Sequence, residues 1–202
     1  MRAWIYDSTF RQLTTRWYAE VLDRLPQGAL LLDVGIGTAG ALARNAARAR
    51  ARDVHVVGVD IDGDYLERAR LNLERARITD RVRLRHISIF DFQEREFDAA
   101  YFSASFMLLP DPASVLRHVT TLLKPGGPVF FTQTFEEHRS PLVEKIKPML
   151  HKVTTIDFGQ VTYEADFLRT LEEGGCAVEE NIVLGGGKVR TARLVVARPV
   201  GG

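Results

Sequence analysis

The segment Leu30–Leu42, which reads LLLDVGIGTAGAL, decides the fold of this 202-residue chain. Its apolar start, residues 30–32, indicates a short buried strand, and the alanine-rich run 39–52 predicts a helix. Between them lie three glycines, at positions 35, 37 and 40. Glycines let such a turn bend sharply and bring its N–H groups close to a ligand. Because a helix N-terminus also carries partial positive charge, the segment predicts a strand, turn and helix that bind a nucleotide.

The glycine pattern alone leaves several interpretations open. It also fits a dinucleotide-binding dehydrogenase, and a glycine-rich turn without any ligand is a third interpretation. Asp33 stands at the end of the strand, where the dehydrogenase pattern has an apolar residue. A second acid, Asp60, ends the next apolar run, residues 54–59, and lies twenty residues after Gly40. An acid at that place suits the hydroxyls of a ribose in either class of protein.

Four segments in order resemble the motifs of class I S-adenosylmethionine-dependent methyltransferases. Residues 33–38 resemble the first motif, and residues 57–62 with Leu66 and Ala69 resemble the second. Residues 97–111 resemble the fourth, and residues 122–127 resemble the turn before the fifth strand. The resemblance covers residues 30–134 and implies S-adenosylmethionine as cofactor. Residues 103–111 lack the Asn/Asp-Pro-Pro-aromatic motif of the members that methylate adenine or glutamine amides, so the resemblance implies the small-molecule branch.

The resemblance also implies roles for individual residues. The N–H groups of Gly35 and Gly37 would meet the cofactor's carboxylate, Asp33 its ammonium, and Asp60 its ribose. The family commonly has glycine at the position of Ala39, a departure that is harmless unless the position needs a positive φ. It also places an acid for the adenine amine where this chain has Ser88, and Asp91 is the alternative. The predicted cofactor-binding residues are Asp33, Gly35, Ile36, Gly37, Asp60, Ile61, Ser88, Ile89, Phe102 and Ser103.

Residues for the methyl acceptor are predicted in two places. Tyr6 and Tyr18 of the leading segment, with Phe106 and Met107 after the fourth strand, are expected to contact the substrate. Methyl transfer relies mainly on alignment, and a general base is optional. The catalytic residue is therefore left open, with His138 and Tyr163 as candidates.

Strands and helices alternate along the chain, which predicts an α/β fold. We expect a single, doubly wound, seven-stranded, mostly parallel sheet with helices on both faces and an antiparallel last strand. Residues 1–28 would form a leading helix, 29–134 the cofactor-binding half, and 135–202 a substrate-side insert and the C-terminal strands. The leading helix is predicted over 10–25, and an extra short strand over 151–156.

Composition narrows the class of protein. The formal net charge is +1 and 46% of the residues are hydrophobic, so no global field draws the chain to nucleic acid or an anionic membrane. The one cysteine, Cys176, offers neither a disulfide nor a metal cluster. With no membrane-length apolar run and no signal-peptide core, the chain is expected to be cytoplasmic. Alternatives to a small-molecule methyltransferase are a protein or RNA methyltransferase, a non-catalytic cofactor-binding partner subunit, and a nicotinamide-dependent reductase. The oligomeric state is not predicted.

Overall fold

A computed structural model describes residues 2–136, 162–187 and 189–201, with side chains from Gln12 onward. One seven-stranded sheet has the strand order β3-β2-β1-β4-β5-β7-β6. Its strands are β1 (Leu30–Val34), β2 (His55–Asp60), β3 (Val82–His86), β4 (Ala99–Ser103), β5 (Val129–Glu136), β6 (Cys176–Gly186) and β7 (Arg190–Pro199). Neighbours from β3 to β5 pair in parallel, and β7 is antiparallel to both β5 and β6. The predicted fold class is confirmed.

In the described part of the chain, six α-helices cover the two faces of the sheet. They are α1 (Arg2–Arg24), α2 (Gly40–Arg44), α3 (Ala46–Ala51), α4 (Gly63–Ala76), α5 (Pro112–Thr120) and α6 (Glu164–Glu173). Side chains alternate along a strand, so Leu31 and Leu32 of β1 enter different hydrophobic cores. The core that contains Leu31 is closed by α1 to α4, and the core that contains Leu32 is closed by α5 and α6. The sheet is thus doubly wound, as predicted.

The helix ends show where local sequence signals succeed and where they do not. Asp62 caps α4, because its carboxylate accepts from the amides of Asp64 and Tyr65. In contrast, α1 begins at Arg2 and not at Phe10, since residues 2–9 contain neither glycine nor proline to stop a helix. The predicted strand over 151–156 lies outside the described residues.

Asn45 divides the alanine-rich run into α2 and α3. Its side-chain amide donates to the carbonyls of Ala41 and Thr15, each at 2.9 Å. Such bonds to nearby backbone compete with the helical pattern, and the second one anchors the break to α1. The single helix predicted over 39–52 is therefore two short helices.

Two features are absent from the described residues. None of their helices is long and apolar enough to cross a membrane. Their His, Cys, Asp and Glu side chains contain no group of three or more that could hold a metal ion.

Candidate functional site

The site lies where the strand order reverses. The chain proceeds from β1 to β2 and β3 on one side, and then to β4 and β5 on the other. In open parallel sheets, ligands bind beyond the carboxyl ends of the strands at this reversal. Asp33 of β1, Asp60 of β2 and Ser103 of β4 therefore share one edge of the sheet.

Asp33 is buried between two neighbouring strands and the leading helix. It lies in register with Gly58 of β2 and Tyr101 of β4, on the face that α1 covers. The hydroxyl of Tyr18, a residue of α1, donates to its Oδ2 at 2.8 Å. Only 1% of Asp33 is exposed, and Tyr18 is buried as well. Helix α1 thus reaches into the site through one hydrogen bond.

The second carboxylate oxygen of Asp33 is a buried acceptor to which no described residue hydrogen-bonds. The pKa of Asp33 is raised from 3.8 to about 7, mainly by burial; the hydrogen bond from Tyr18 lowers this pKa in part, and the charge of Asp60 adds to the rise. An unsatisfied carboxylate oxygen is costly, so a donor group that carries positive charge would be favoured there. The ammonium of the implied cofactor is such a group.

The glycine turn is tied to the end of β2. The amides of Gly35 and Ile36 donate to the carbonyl of Val59, at 2.8 and 3.3 Å. The amide of Gly37 donates to Oδ2 of Asp60 at 2.8 Å. The amides expected to meet a carboxylate therefore already have acceptors within the protein.

Two glycines of the turn have positive φ, +73° at Gly35 and +56° at Gly37. A Cβ added at Gly37 would have no atom within 4 Å, so this part of the turn faces open space. Its backbone can therefore be approached closely, as a nucleotide cradle requires. Ala39 also has a positive φ, of +50°. This position thus has the conformation that favours the family's glycine, and alanine adopts it here.

Two close contacts of the turn were not predicted from the sequence. A Cβ at Gly58 would lie 2.3 Å from Cδ1 of Ile36, so the absent side chain of β2 makes room for Ile36. A Cβ at Gly35 would lie 2.8 Å from Cβ of Ser105, whose hydroxyl donates to the carbonyl of Val34 at 2.6 Å. A glycine inside an apolar strand was the only sequence signal for the first contact.

An exposed apolar side chain follows Asp60. Ile61 is 72% exposed, and its carbonyl lies 3.0 Å from Nε2 of His86 at the end of β3. Oδ1 of Asp60 accepts from the amide of Asp62 at 3.0 Å. An exposed isoleucine next to a carboxylate has the chemistry needed to lie against a nucleoside base.

The segment after β3 forms a turn. The hydroxyl of Ser88 accepts from the amide of Phe90 at 3.3 Å, and its carbonyl accepts from the amide of Asp91 at 3.0 Å. Ser88 is half-buried and Asp91 is exposed, whereas Ile89 lies in the hydrophobic core. A cleft of about 320 Å³ nearby is lined by residues 85–87 and 92–94, none of which is a predicted cofactor residue.

The aromatic residues that were predicted to contact ligands at the end of β4 lie in the hydrophobic core. Phe102 and Phe106 are fully buried, and their ring centroids lie 5.1 Å apart. Both contact Phe131, and Phe106 also contacts Phe167 of α6. Their side chains are therefore committed to packing, and Phe102 can offer only backbone groups. Ser103 and Met107 are half-buried.

The remaining candidates are less well placed or not described. His138 lies outside the described residues, as does the side chain of Tyr6. Tyr163 is buried immediately before α6, and its neighbour Thr162 accepts from the amide of Glu136 through its carbonyl at 3.0 Å. Tyr163 thus follows a residue that is anchored to the end of β5.

Comparison with known proteins agrees with this geometry. Residues 32–129 match a family described as a methyltransferase domain. A ubiquinone biosynthesis O-methyltransferase of Acinetobacter baylyi is 29% identical over 161 residues. The aligned region is 76% of this chain and 65% of that relative, so the chain spans less than two thirds of the relative's length.

Solved structures share the fold at low identity. The cyclase SpnF has a TM-score of 0.71 at 17% identity, covering 91% of this chain and 81% of its own. Geranyl diphosphate C-methyltransferase from Streptomyces coelicolor was solved with Mg²⁺, geranyl diphosphate and S-adenosyl-L-homocysteine. It has a TM-score of 0.68 at 16% identity, covering 91% and 77%. The match over residues 32–129 confirms the resemblance to methyltransferases in sequence, and the solved structures show the same fold.

Proposed function

We propose that this chain, with its methyltransferase domain over residues 32–129, binds S-adenosylmethionine and transfers its methyl group to a small molecule. The observation that carries the proposal is that two carboxylates, those of Asp33 and Asp60, lie on either side of one glycine turn. Asp33 offers a buried, unpartnered oxygen on one side, and Asp60 holds the amide of Gly37 on the other. One acid would bind the ammonium and the other the ribose of the same ligand.

Three parts of the cofactor have a matching group in the protein, whereas the amides predicted for its carboxylate already have acceptors within the chain. Oδ1 of Asp33 would accept a hydrogen bond from the ammonium, directly or through a water molecule. Asp60 would accept from the ribose hydroxyls, since a carboxylate has room for more than its two present donors. Ile61 would cover one face of the adenine, and either Ser88 or Asp91 would accept from its amino group.

The bound cofactor would supply a methyl group on a positively charged sulfur. An acceptor atom would form a bond to the methyl carbon while the carbon–sulfur bond breaks on the opposite side, with S-adenosylhomocysteine as the leaving group. The protein's own contribution is to hold the two reactants in line, which can lower the barrier by roughly 7–11 kcal/mol in well-oriented systems. We propose that Met107, which is half-buried after β4, lies beside the acceptor. His138 and Tyr163 stay candidates for a general base, and a cytoplasmic location stays a prediction.

Calorimetric titration with S-adenosylmethionine, S-adenosylhomocysteine and NADH tests the proposal. We expect both adenosyl sulfur compounds to bind and NADH not to bind. At one hundred times its dissociation constant, a ligand should also stabilise the fold by about 2.7 kcal/mol in thermal unfolding. Binding of NADH alone would refute the proposal and favour a reductase.

Turnover separates the remaining alternatives. Radioactive methyl transfer would be followed to a panel of phenols, amines and carboxylic acids, and in parallel to protein and RNA. Label on a small molecule supports the proposal, whereas label on protein or RNA alone supports the macromolecular alternative. Binding without any transfer supports a non-catalytic partner subunit.

A further inference from the structure

A buried polar layer lies between α1 and the sheet, directly beneath the proposed ammonium site. It consists of two separate hydroxyl contacts. Tyr18 donates to Asp33 at 2.8 Å, and the hydroxyl of Tyr101 lies 2.7 Å from Oγ1 of Thr132. The two tyrosine rings meet edge to face, with centroids 5.2 Å apart. Polar groups lose their hydration when they are buried this deeply, and apolar residues would not. Their presence here therefore indicates a specific role.

Asp33 is held by only one of these hydroxyls. The bond from Tyr18 fixes Oδ2 and thereby determines where Oδ1 lies. Within the described part of the chain, Oδ1 has no hydrogen-bond partner. A carboxylate with one oxygen fixed and the other available is oriented for a single incoming donor.

We propose that Tyr18 is the positioning residue of the cofactor site: its hydroxyl fixes one carboxylate oxygen of Asp33, so that the other oxygen binds the ammonium of the cofactor. This role rests on the proposed function, and it differs from the substrate contact that the sequence predicted for Tyr18. Since α1 carries Tyr18, the leading helix becomes part of cofactor recognition.

The charges around Asp33 determine the direction of the effect. Among the described residues, the titratable groups that face it are Tyr18 from α1, Tyr101 from β4 and Asp60 from β2, and none of these three is a cation. Burial and the charge of Asp60 raise the pKa of Asp33, whereas the hydroxyl of Tyr18 lowers it. Removal of that hydroxyl should therefore raise the pKa further and leave less of the carboxylate ionised at neutral pH.

The test measures the affinity for two ligands between pH 5.5 and 7.5, where an α-amino group stays largely protonated. S-adenosylhomocysteine carries the ammonium, and 5′-methylthioadenosine lacks the whole amino-acid part. For the wild type, we expect the affinity for S-adenosylhomocysteine to fall as the pH is lowered through 7. The affinity for methylthioadenosine should stay constant.

Tyr18→Phe should move the pH profile for S-adenosylhomocysteine upward by about one unit, the size expected for a lost hydrogen bond to a charged group. At pH 7 this corresponds to roughly a fivefold weaker affinity, given the smaller ionised fraction. Affinity for methylthioadenosine should not change. The control is Thr170→Val, which also removes a hydroxyl, one that donates to the carbonyl of Asp166 in α6 on the other face of the sheet; it should keep the wild-type profile.

Several outcomes would overturn the inference. They are an unchanged profile in Tyr18→Phe, an equal loss of affinity for both ligands without a pH shift, or the same shift in Thr170→Val. If Tyr18→Phe does not fold, the wild type decides: a flat profile for S-adenosylhomocysteine overturns the inference and a steep one supports it. If the wild type binds neither ligand, the proposed function itself fails, which is a distinguishable result.

Discussion

The amide of Gly37 and the carboxylate of Asp60 are joined by a hydrogen bond of 2.8 Å. This bond ties the turn after β1 to the end of β2, so the two segments are held in one arrangement before any ligand arrives. A site that is ordered in advance loses less conformational entropy on binding.

Asp60→Ala should weaken the binding of S-adenosylhomocysteine by about 1.5–3 kcal/mol, the range for hydrogen bonds to a charged group. That corresponds to roughly a 10- to 150-fold higher dissociation constant in calorimetry. The control is Asp62→Ala, which removes the cap of α4. It should lower stability by about 1 kcal/mol and leave the affinity unchanged. A folded Asp60→Ala protein with normal affinity would contradict the ribose assignment.

Gly58→Ala should displace the glycine turn, because the new Cβ would lie 2.3 Å from Cδ1 of Ile36. We expect a loss of about 1–3 kcal/mol in the free energy of unfolding, typical of overpacking, together with weaker cofactor binding. Gly185→Ala in β6 is the matched control, since a Cβ there has no atom within 4 Å. Denaturant unfolding and calorimetry check both variants. Equal behaviour of the two variants would count against the packing role of Gly58.

Asp33→Asn should change how stability depends on pH. In the folded protein the pKa of Asp33 is raised from 3.8 to about 7, so between these values the folded chain holds a proton that the unfolded chain releases. Stability therefore falls as the pH rises from about 4 to 7, by up to about 4 kcal/mol from this group. Asparagine cannot ionise, so the variant should be more stable than the wild type at pH 8.

Thermal unfolding without cofactor, at pH 5 and pH 8, measures this effect. The stabilisation by Asp33→Asn should be clearly larger at pH 8. Asp91→Asn, at an exposed carboxyl, is the control and should show no such difference. If Asp33→Asn shifted stability equally at both pH values, the buried carboxyl would not be the cause.

Ile61→Ser should affect binding and not folding, because the side chain is 72% exposed. If adenine covers about 60 Å² of it, the loss is about 1.5 kcal/mol, or roughly tenfold in affinity. Val200→Ser, at another exposed apolar residue, should change neither property. An unchanged affinity in Ile61→Ser would remove this residue from the adenine site.

The sequence predicted those parts of the site that depend on short, local patterns. Asp33, Gly37 and Asp60 stand at fixed places relative to a strand end, and the structure brings them to one edge of the sheet. The bond from Tyr18 to Asp33 joins residues fifteen positions apart on different elements, and no local pattern encodes it. Whether an apolar residue near a strand end is buried depends on tertiary packing. The sequence therefore could not show that Phe106, predicted to contact the substrate, lies in the core.

The outer strand of the C-terminal hairpin, β6, is a sheet edge at which a strand of another molecule could pair. At the end of the described sheet, β6 exposes one row of backbone groups, an edge that could add a further strand. Its pairing with β7 is irregular between Val178 and Glu180 and between Val183 and Gly185. Such irregularities twist an edge away from the flat form that accepts a further strand. The hairpin therefore discourages edge-to-edge aggregation.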